Sequence, residues 1–184
     1  VAPEVALDFP VRPIYYYDGN TWRIYTGAIE DQTMTSLKII TYNVLCDEHE
    51  KEFVRSAERY PAIAQYLASQ EADIIALQEA TPALMQWLHT QPWAQAYFIS
   101  EAPNCPTLHP FGQVILSKYP FALAEHLYSP HKRFLVGSWP INGTSIHVAN
   151  VHLTSNRSER ALQIRQGQLG VMIQYLNTLP GDTW

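Results

Sequence analysis

The chain has 184 residues, of which 47% are hydrophobic, 16% charged and 12% aromatic, and its formal net charge at pH 7 is −5. This composition excludes disordered, collagen-like and coiled-coil chains, and the net charge argues against a generic basic coat for nucleic acid. Residues 102–184 nevertheless carry six bases against three acids. Because the local field matters more than the total charge, an anionic substrate stays open.

The two cysteines, Cys46 and Cys105, form neither a disulfide framework nor a zinc-binding spacing. We therefore predict reduced thiols in a cytoplasmic protein. The sequence shows no signal peptide and no apolar run near the ~20 residues that a membrane span needs, so we expect no membrane partner. The chain begins without Met and stops after Thr183-Trp184, and we expect it to be a fragment of a longer protein.

The first 36 residues differ from the rest of the chain. Two aromatic segments, Tyr15-Tyr16-Tyr17 and Trp22-Arg23-Ile24-Tyr25, flank Asp18-Gly19-Asn20, a pattern that predicts a β-hairpin. We interpret residues 1–36 as an N-terminal arm, the tail of an upstream domain, and residues 37–184 as a separate domain.

From residue 37 the pattern alternates between strands and helices. We predict a strand over 37–45, a helix over 56–69, a strand over 73–78 and a second helix that Thr81 caps and Pro82 opens. Further β-segments are predicted near 96–100, 112–118, 122–128, 132–139 and 144–153, with a hairpin turn at Asn142-Gly143. A long helix over 158–179 follows, and its predicted core stripe comprises Leu162, Leu169, Met172, Ile173 and Leu176.

This order of elements predicts an α/β fold with a mixed sheet covered by helices. It does not repeat the βαβ unit, which argues against a Rossmann fold. Neither a GxGxxG nor a GxxxxGK[ST] motif occurs, so nucleotide-binding loops of those types are excluded.

Polar side chains interrupt three strands near their carboxyl ends. Asn43 continues the face of Ile39 and Thr41, Glu79 continues the face of Ile75 and Leu77, and Asn150 and His152 continue the face of Ile146 and Val148. If these ends meet, an amide, a carboxylate and an imidazole share one rim of the core. Glu79 suits Mg²⁺, Asn43 can serve a phosphate oxygen or a metal, and His152 can stabilise a phosphoryl oxygen or move a proton. From spacing alone, an ordinary structural role is the more common one for each of Glu79, Asn43 and His152.

Four segments in this order resemble the endonuclease/exonuclease/phosphatase superfamily: 38–45 with Asn43, 72–79 with Glu79, 112–120, and 150–153 with His152. Residues 152–169 are similar to tyrosyl-DNA phosphodiesterases, whereas 42–47 looks like the poly(A) deadenylase branch. The resemblance covers residues 37–184 and leaves residues 1–36 outside.

The resemblance implies a two-sheet α/β sandwich and hydrolysis of phosphate esters at nucleic-acid ends, with Mg²⁺ or Mn²⁺ as cofactor. It further implies that Glu79 and Asn43 serve the metal, and that Asn43 and His152 are catalytic. The family's Gly-Asp-x-Asn and Ser-Asp-His motifs are absent. We interpret Gly181-Asp182 as a turn, not as the first of these motifs, so the second half of the fold is incomplete and we expect the chain to be inactive alone.

Two other functions stay open at this point. One is a phosphoinositide or sphingolipid phosphohydrolase of the same superfamily. The other is a non-catalytic module that binds phosphate or another protein. An incomplete second half also predicts an exposed sheet edge, from which we expect self-association.

Overall fold

A computed structural model describes residues 9–46, 51–104, 106–129, 132–155 and 157–183. Cys105, Asp47 and the first eight residues of the predicted arm lie outside the described residues, while Cys46 is a half-buried thiol. The described residues form the strands β1 (Val11–Arg12), β2 (Tyr15–Tyr17), β3 (Trp22–Ile24), β4 (Ile39–Asn43), β5 (Ile74–Ala80), β6 (Phe98–Ile99), β7 (Gly112–Ser117), β8 (Ala122–Ser129), β9 (Lys132–Ile141), β10 (Thr144–Val151) and β11 (Asp182–Thr183). They form the helices α1 (Lys51–Val54), α2 (Ser56–Gln70), α3 (Pro82–His89), α4 (Pro92–Gln95) and α5 (Glu159–Leu176).

The strands form two mixed sheets. Sheet A has the order β1-β8-β9-β10-β11, and only β10 and β11 in it run parallel. Sheet B has the order β3-β2-β6-β7-β5-β4, and only β4 and β5 in it run parallel. The short helices α1 and α4 and the short strands β1 and β11 were not predicted, whereas the other main elements lie within a few residues of their predicted bounds.

Apolar side chains fill three interfaces, which makes the molecule a two-sheet α/β sandwich, as predicted. The core between the sheets includes Ile74 and Ile115 from sheet B and Trp139 and Val148 from sheet A. On the outer face of sheet B, α2 packs through its predicted stripe, and the buried members of that stripe are Tyr60, Ile63, Ala64 and Leu67.

Helix α5 covers the outer face of sheet A through part of its predicted stripe. Leu176 is buried, and Met172 packs against the cluster that it forms with Phe134 and Val136 of β9. Leu162 and Ile173 are exposed to 49% and 52%, so the predicted placement of these two residues in the core is wrong.

The described part of the arm contributes strands to both sheets. β1 pairs with β8 in sheet A, and β2 pairs with β3 and β6 in sheet B. The β2–β3 turn is held by Asp18, whose Oδ1 accepts hydrogen bonds from the amides of Asn20 and Thr21. The domain boundary at residue 36 stays a prediction.

One sheet edge bears on the expected self-association. β4 is an edge of sheet B, and its Ile39 is exposed to 37% on the side that faces sheet A. Self-association through such an edge stays a prediction. No helix among the described residues is long and apolar enough to cross a membrane.

Candidate functional site

The three residues singled out in the sequence meet at one carboxylate. Asn43 is the last residue of β4, Glu79 lies near the end of β5, and His152 directly follows β10. Asn43 Nδ2 donates a hydrogen bond of 2.9 Å to Glu79 Oε1, and His152 Nε2 lies 3.3 Å from the same oxygen. The side chains of Glu79 and His152 are exposed to only 15% and 14%, so the cluster sits at the rim of the core.

A β-bulge brings Glu79 to this side of the sheet. Asn43 is in register with Gln78, so strict alternation would direct Glu79 to the opposite face, with Leu77. The β5–β7 register shifts between Leu77 and Ala80, and Glu79 adopts a left-handed φ of 57°. The extra residue turns the Glu79 side chain towards Asn43. The predicted face of Glu79, shared with Ile75 and Leu77, is therefore wrong.

Asn150 ties the two sheets together at this bulge. It is 2% exposed, and its Nδ2 donates to the carbonyl oxygens of Leu77 and Val114, each at 2.9 Å. Its Oδ1 accepts a hydrogen bond of 2.7 Å from Gln78 Nε2. A buried amide thus holds both strands where the bulge occurs, which fixes the direction in which Glu79 leaves the sheet.

The residues after β4 supply a second hold on Glu79. Cys46 N donates a hydrogen bond of 2.9 Å to Glu79 Oε2, so both carboxylate oxygens accept from the turn that Asn43 begins. Asn43 Oδ1 accepts from Leu45 N at 2.9 Å. The side-chain oxygen of Asn43 therefore points away from the Glu79 carboxylate, and the side-chain NH2 group faces that carboxylate.

Lys132 is a fourth member of the site that the sequence analysis missed. Its Nζ lies 3.2 Å from His152 Nδ1 and donates to the Leu153 carbonyl oxygen at 3.2 Å. The sequence did contain a signal for Lys132. Counting back along both strands from the predicted Asn142-Gly143 turn places Lys132 opposite Leu153, one residue from His152. The observed β9–β10 register follows the same count as far as Val151 and Phe134, two residues before that pair.

The charges in the cluster influence one another. Partial burial alone raises the pKa of Glu79, but the hydrogen bonds from Asn43 and Cys46 outweigh it, so the pKa lies below its usual value. Burial, and then the charge of Lys132, lowers the pKa of His152. Burial lowers the pKa of Lys132 as well, although the negative charge of Glu79 opposes this shift. At neutral pH the site therefore contains an ionised carboxylate and a neutral imidazole.

This donor set suits a hard cation held largely by oxygen atoms of a ligand and of water. Among the described residues no group of three or more His, Cys, Asp or Glu side chains could hold a metal ion. Mg²⁺ is commonly bound by one or two carboxylates together with waters and substrate phosphates. The ionised and partly exposed Glu79 fits that pattern, whereas the Asn43 carbonyl is occupied by Leu45 N.

Asp182 lies away from the cluster. It is in β11 and pairs with Ile146, six residues before His152 along β10, which corresponds to about 20 Å at the usual rise of a strand. The preceding Gly181 has a φ of 111° and forms the turn into β11. Gly181-Asp182 is thus a turn followed by a short strand, and the carboxylate does not join Glu79.

The family model for the endonuclease/exonuclease/phosphatase family matches residues 40–178. The matched segment contains Asn43, Glu79, Lys132 and His152. The chain belongs to this family, as its motifs predicted. No curated protein matches the sequence.

Solved structures share the fold. Zebrafish (D. rerio) TDP2 complexed with a single-strand DNA product is 24% identical, with a TM-score of 0.61 over 80% of this chain. TDP2 from C. elegans is 21% identical, with a TM-score of 0.55 over 77% of this chain. ANGEL2, a 2',3'-cyclic phosphatase, is 19% identical, with a TM-score of 0.55 over 76%. This chain spans only 57%, 42% and 47% of those chains.

Proposed function

We propose that the protein to which this chain belongs hydrolyses phosphate esters at nucleic-acid ends with a divalent cation held at Glu79. The observation that carries the proposal is the convergence of Asn43, Glu79 and His152 on a single carboxylate oxygen. Three separate strands deliver an amide, an anion and an imidazole to one point. The arrangement includes a β-bulge and a left-handed φ at Glu79, and strained backbone of this kind is frequent at functional sites.

Each side chain has a distinct role in this proposal. Glu79 would hold Mg²⁺ or Mn²⁺, which when bound offsets charge on the phosphoryl oxygens. Asn43 is exposed, so its amide can donate to a phosphate oxygen beside the carboxylate. His152 is neutral because of burial and of Lys132, and it can donate to or take a proton from an oxygen of the reacting phosphate.

Lys132 supports the same chemistry. Its ammonium group lies 3.2 Å from Nδ1 and 3.4 Å from Nε2 of the imidazole, and Nε2 also lies 3.3 Å from Glu79 Oε1, so His152 contacts both a cation and an anion. This arrangement orients the imidazole and supplies positive charge for an anionic substrate.

Two further observations favour a nucleic-acid end over a lipid head group. The ring of Phe111 lies 5.9 Å from that of His152 and is half-buried, so it can stack on a nucleobase next to the phosphate. The structural relatives include a TDP2 bound to a single-strand DNA product and a 2',3'-cyclic phosphatase. Both names concern the chemistry of nucleic-acid ends.

The test uses the natural protein that contains this chain, with Mg²⁺ and three substrates. These are a single-stranded DNA with a 5'-phosphotyrosyl end, an RNA with a 2',3'-cyclic phosphate, and vesicles containing a phosphoinositide and sphingomyelin. We expect turnover of a nucleic acid, and Glu79→Gln should lower kcat/KM about 100-fold or more, because a bound metal supplies several kcal/mol of charge stabilisation. The control is Glu58→Gln, whose carboxylate is exposed and paired only locally with Arg55.

Each other outcome contradicts the proposal in a different way. Full activity of Glu79→Gln removes the assignment of the carboxylate. Turnover of the vesicle lipids alone indicates a lipid phosphohydrolase. Binding of oligonucleotide without any turnover indicates a non-catalytic phosphate-binding module.

A further inference from the structure

Arg59 connects helix α2 to the turn that holds Glu79. It is half-buried, its Nη2 donates a hydrogen bond of 2.7 Å to the Val44 carbonyl, and its Nη1 donates one of 3.2 Å to the Leu45 carbonyl. The planar fork of a guanidinium group can grip two successive carbonyls in this way, which a lysine ammonium cannot reproduce. No motif in the sequence pointed to this residue.

The gripped segment, Asn43–Cys46, requires such a hold. Leu45 has a left-handed φ of 55°, a conformation that costs a residue other than glycine about 1–3 kcal/mol. Val44 N bonds to the Gln78 carbonyl, so the segment still follows β5 before it turns away. The turn then has to deliver Cys46 N to Glu79 Oε2 at 2.9 Å.

We propose that Arg59 is a positioning residue for Glu79. By fixing the carbonyls of Val44 and Leu45, Arg59 keeps the Cys46 N–H directed at the carboxylate. Asn43 and Cys46 then hold Glu79 in the single orientation that it needs to take a divalent cation. The part of this inference that concerns the cation rests on the proposed function, whereas the link from Arg59 to Cys46 and Glu79 does not.

Arg59 does not act on a substrate directly in this arrangement. Two of its N–H groups already serve backbone carbonyls, and its Cα lies on α2 with its side chain directed at the turn. Its neighbour Glu58 pairs with Arg55 and leaves Arg59 to the turn. The effect of Arg59 on the site is therefore transmitted through the backbone of Val44–Cys46.

The experiment compares Arg59→Met and Arg59→Lys with Arg55→Met in the natural protein. Arg55 directly precedes α2, is exposed and pairs with Glu58, so it serves as the control for the loss of an arginine near the start of this helix. The first measurement is hydrogen exchange of the Cys46 amide, with the Leu77 amide in β5 as an internal reference. The second is Mn²⁺ affinity, measured from the spectrum of unbound Mn²⁺ during titration.

We expect Arg59→Met to speed exchange of the Cys46 amide about 10-fold with little change at Leu77, and to weaken Mn²⁺ binding about 10–100-fold, as for other residues that orient a metal ligand. Arg59→Lys should lie between, because one carbonyl can still be reached. Faster exchange at both amides would indicate general destabilisation and overturn the proposal.

Unchanged Cys46 exchange and unchanged Mn²⁺ affinity in Arg59→Met would also overturn it. If the unsubstituted protein binds no Mn²⁺, the proposed cation at Glu79 is refuted, but the inference about Arg59 is not. The exchange of the Cys46 amide still decides whether Arg59 positions Glu79.

Discussion

Replacing Asn150 with alanine tests whether the two sheets are held together at the bulge. The substitution removes two hydrogen bonds donated to the Leu77 and Val114 carbonyls and one accepted from Gln78. At about 1 kcal/mol net for each bond, the free energy of unfolding should fall by about 3 kcal/mol. The variant should still fold at 25 °C, because domains are typically stable by about 5–15 kcal/mol, and its Tm should drop by about 6–12 °C.

The assay is urea unfolding at 25 °C followed by tryptophan fluorescence, since Trp139 is 1% exposed between the sheets. Asn177→Ala is the matched control, because Asn177 is exposed just after α5, and it should change the free energy by less than about 0.5 kcal/mol. A loss below about 1 kcal/mol in Asn150→Ala would refute the reasoning, since the carbonyls would then have found other donors.

Three further substitutions probe the buried polar groups. Arg133→Met leaves Glu101 buried without its cation and Glu125 with Arg12 alone, so it should cost about 3–5 kcal/mol in urea unfolding, with little dependence on salt. Thr81→Ala removes the N-cap of α3 and should cost about 1 kcal/mol by the same assay. Burial lowers the pKa of His89 below 6.5, so its contribution to stability is present above pH 6.5 and is lost as the pH falls further. In His89→Gln the loss of stability between pH 7.5 and pH 5 should therefore be smaller; an equal loss would contradict this.

The order and type of the main elements could be predicted because their signals are local. Thr81 and Pro82 mark the start of α3, and the stripe from Tyr60 to Leu67 marks the buried face of α2. Helix capping and hydrophobic periodicity involve residues only a few positions apart, so they can be recognised in the sequence itself. The length of a strand depends on the strand with which it pairs, and a single sequence does not reveal that partner.

Three of the four clustered side chains were identified from the sequence, but the way in which Glu79 reaches the cluster was not. Alternation assigned Glu79 to the face of Leu77, and only the bulge opposite β7 brings it to Asn43. A bulge depends on pairing with a distant strand and leaves no clear local pattern when the residue in the left-handed conformation is a glutamate. The family motifs compensated for this, because they identify Glu79 without specifying its face.

Lys132 and Arg59 were missed for different reasons. Lys132 could be found from the hairpin register, which was available once the Asn142-Gly143 turn was recognised. Arg59 acts through backbone carbonyls, and hydrogen bonds to the main chain impose no requirement on the residue types they reach. In helix α5 the predicted burial of Leu162 and Ile173 is wrong, whereas Gln168, a polar residue outside the predicted stripe, is buried and hydrogen-bonds Thr154.

The first described segment of the chain has a kinetic consequence. Val11 must find Ala124, and Tyr15 must find Ile99, so two short strands depend on partners 84 and more residues away. Pairing between strands that are far apart in sequence is slow, because the intervening chain loses conformational entropy before the new contacts form. We therefore expect β1 and β2 to pair with their partners late in folding, after the more local strand pairs have formed.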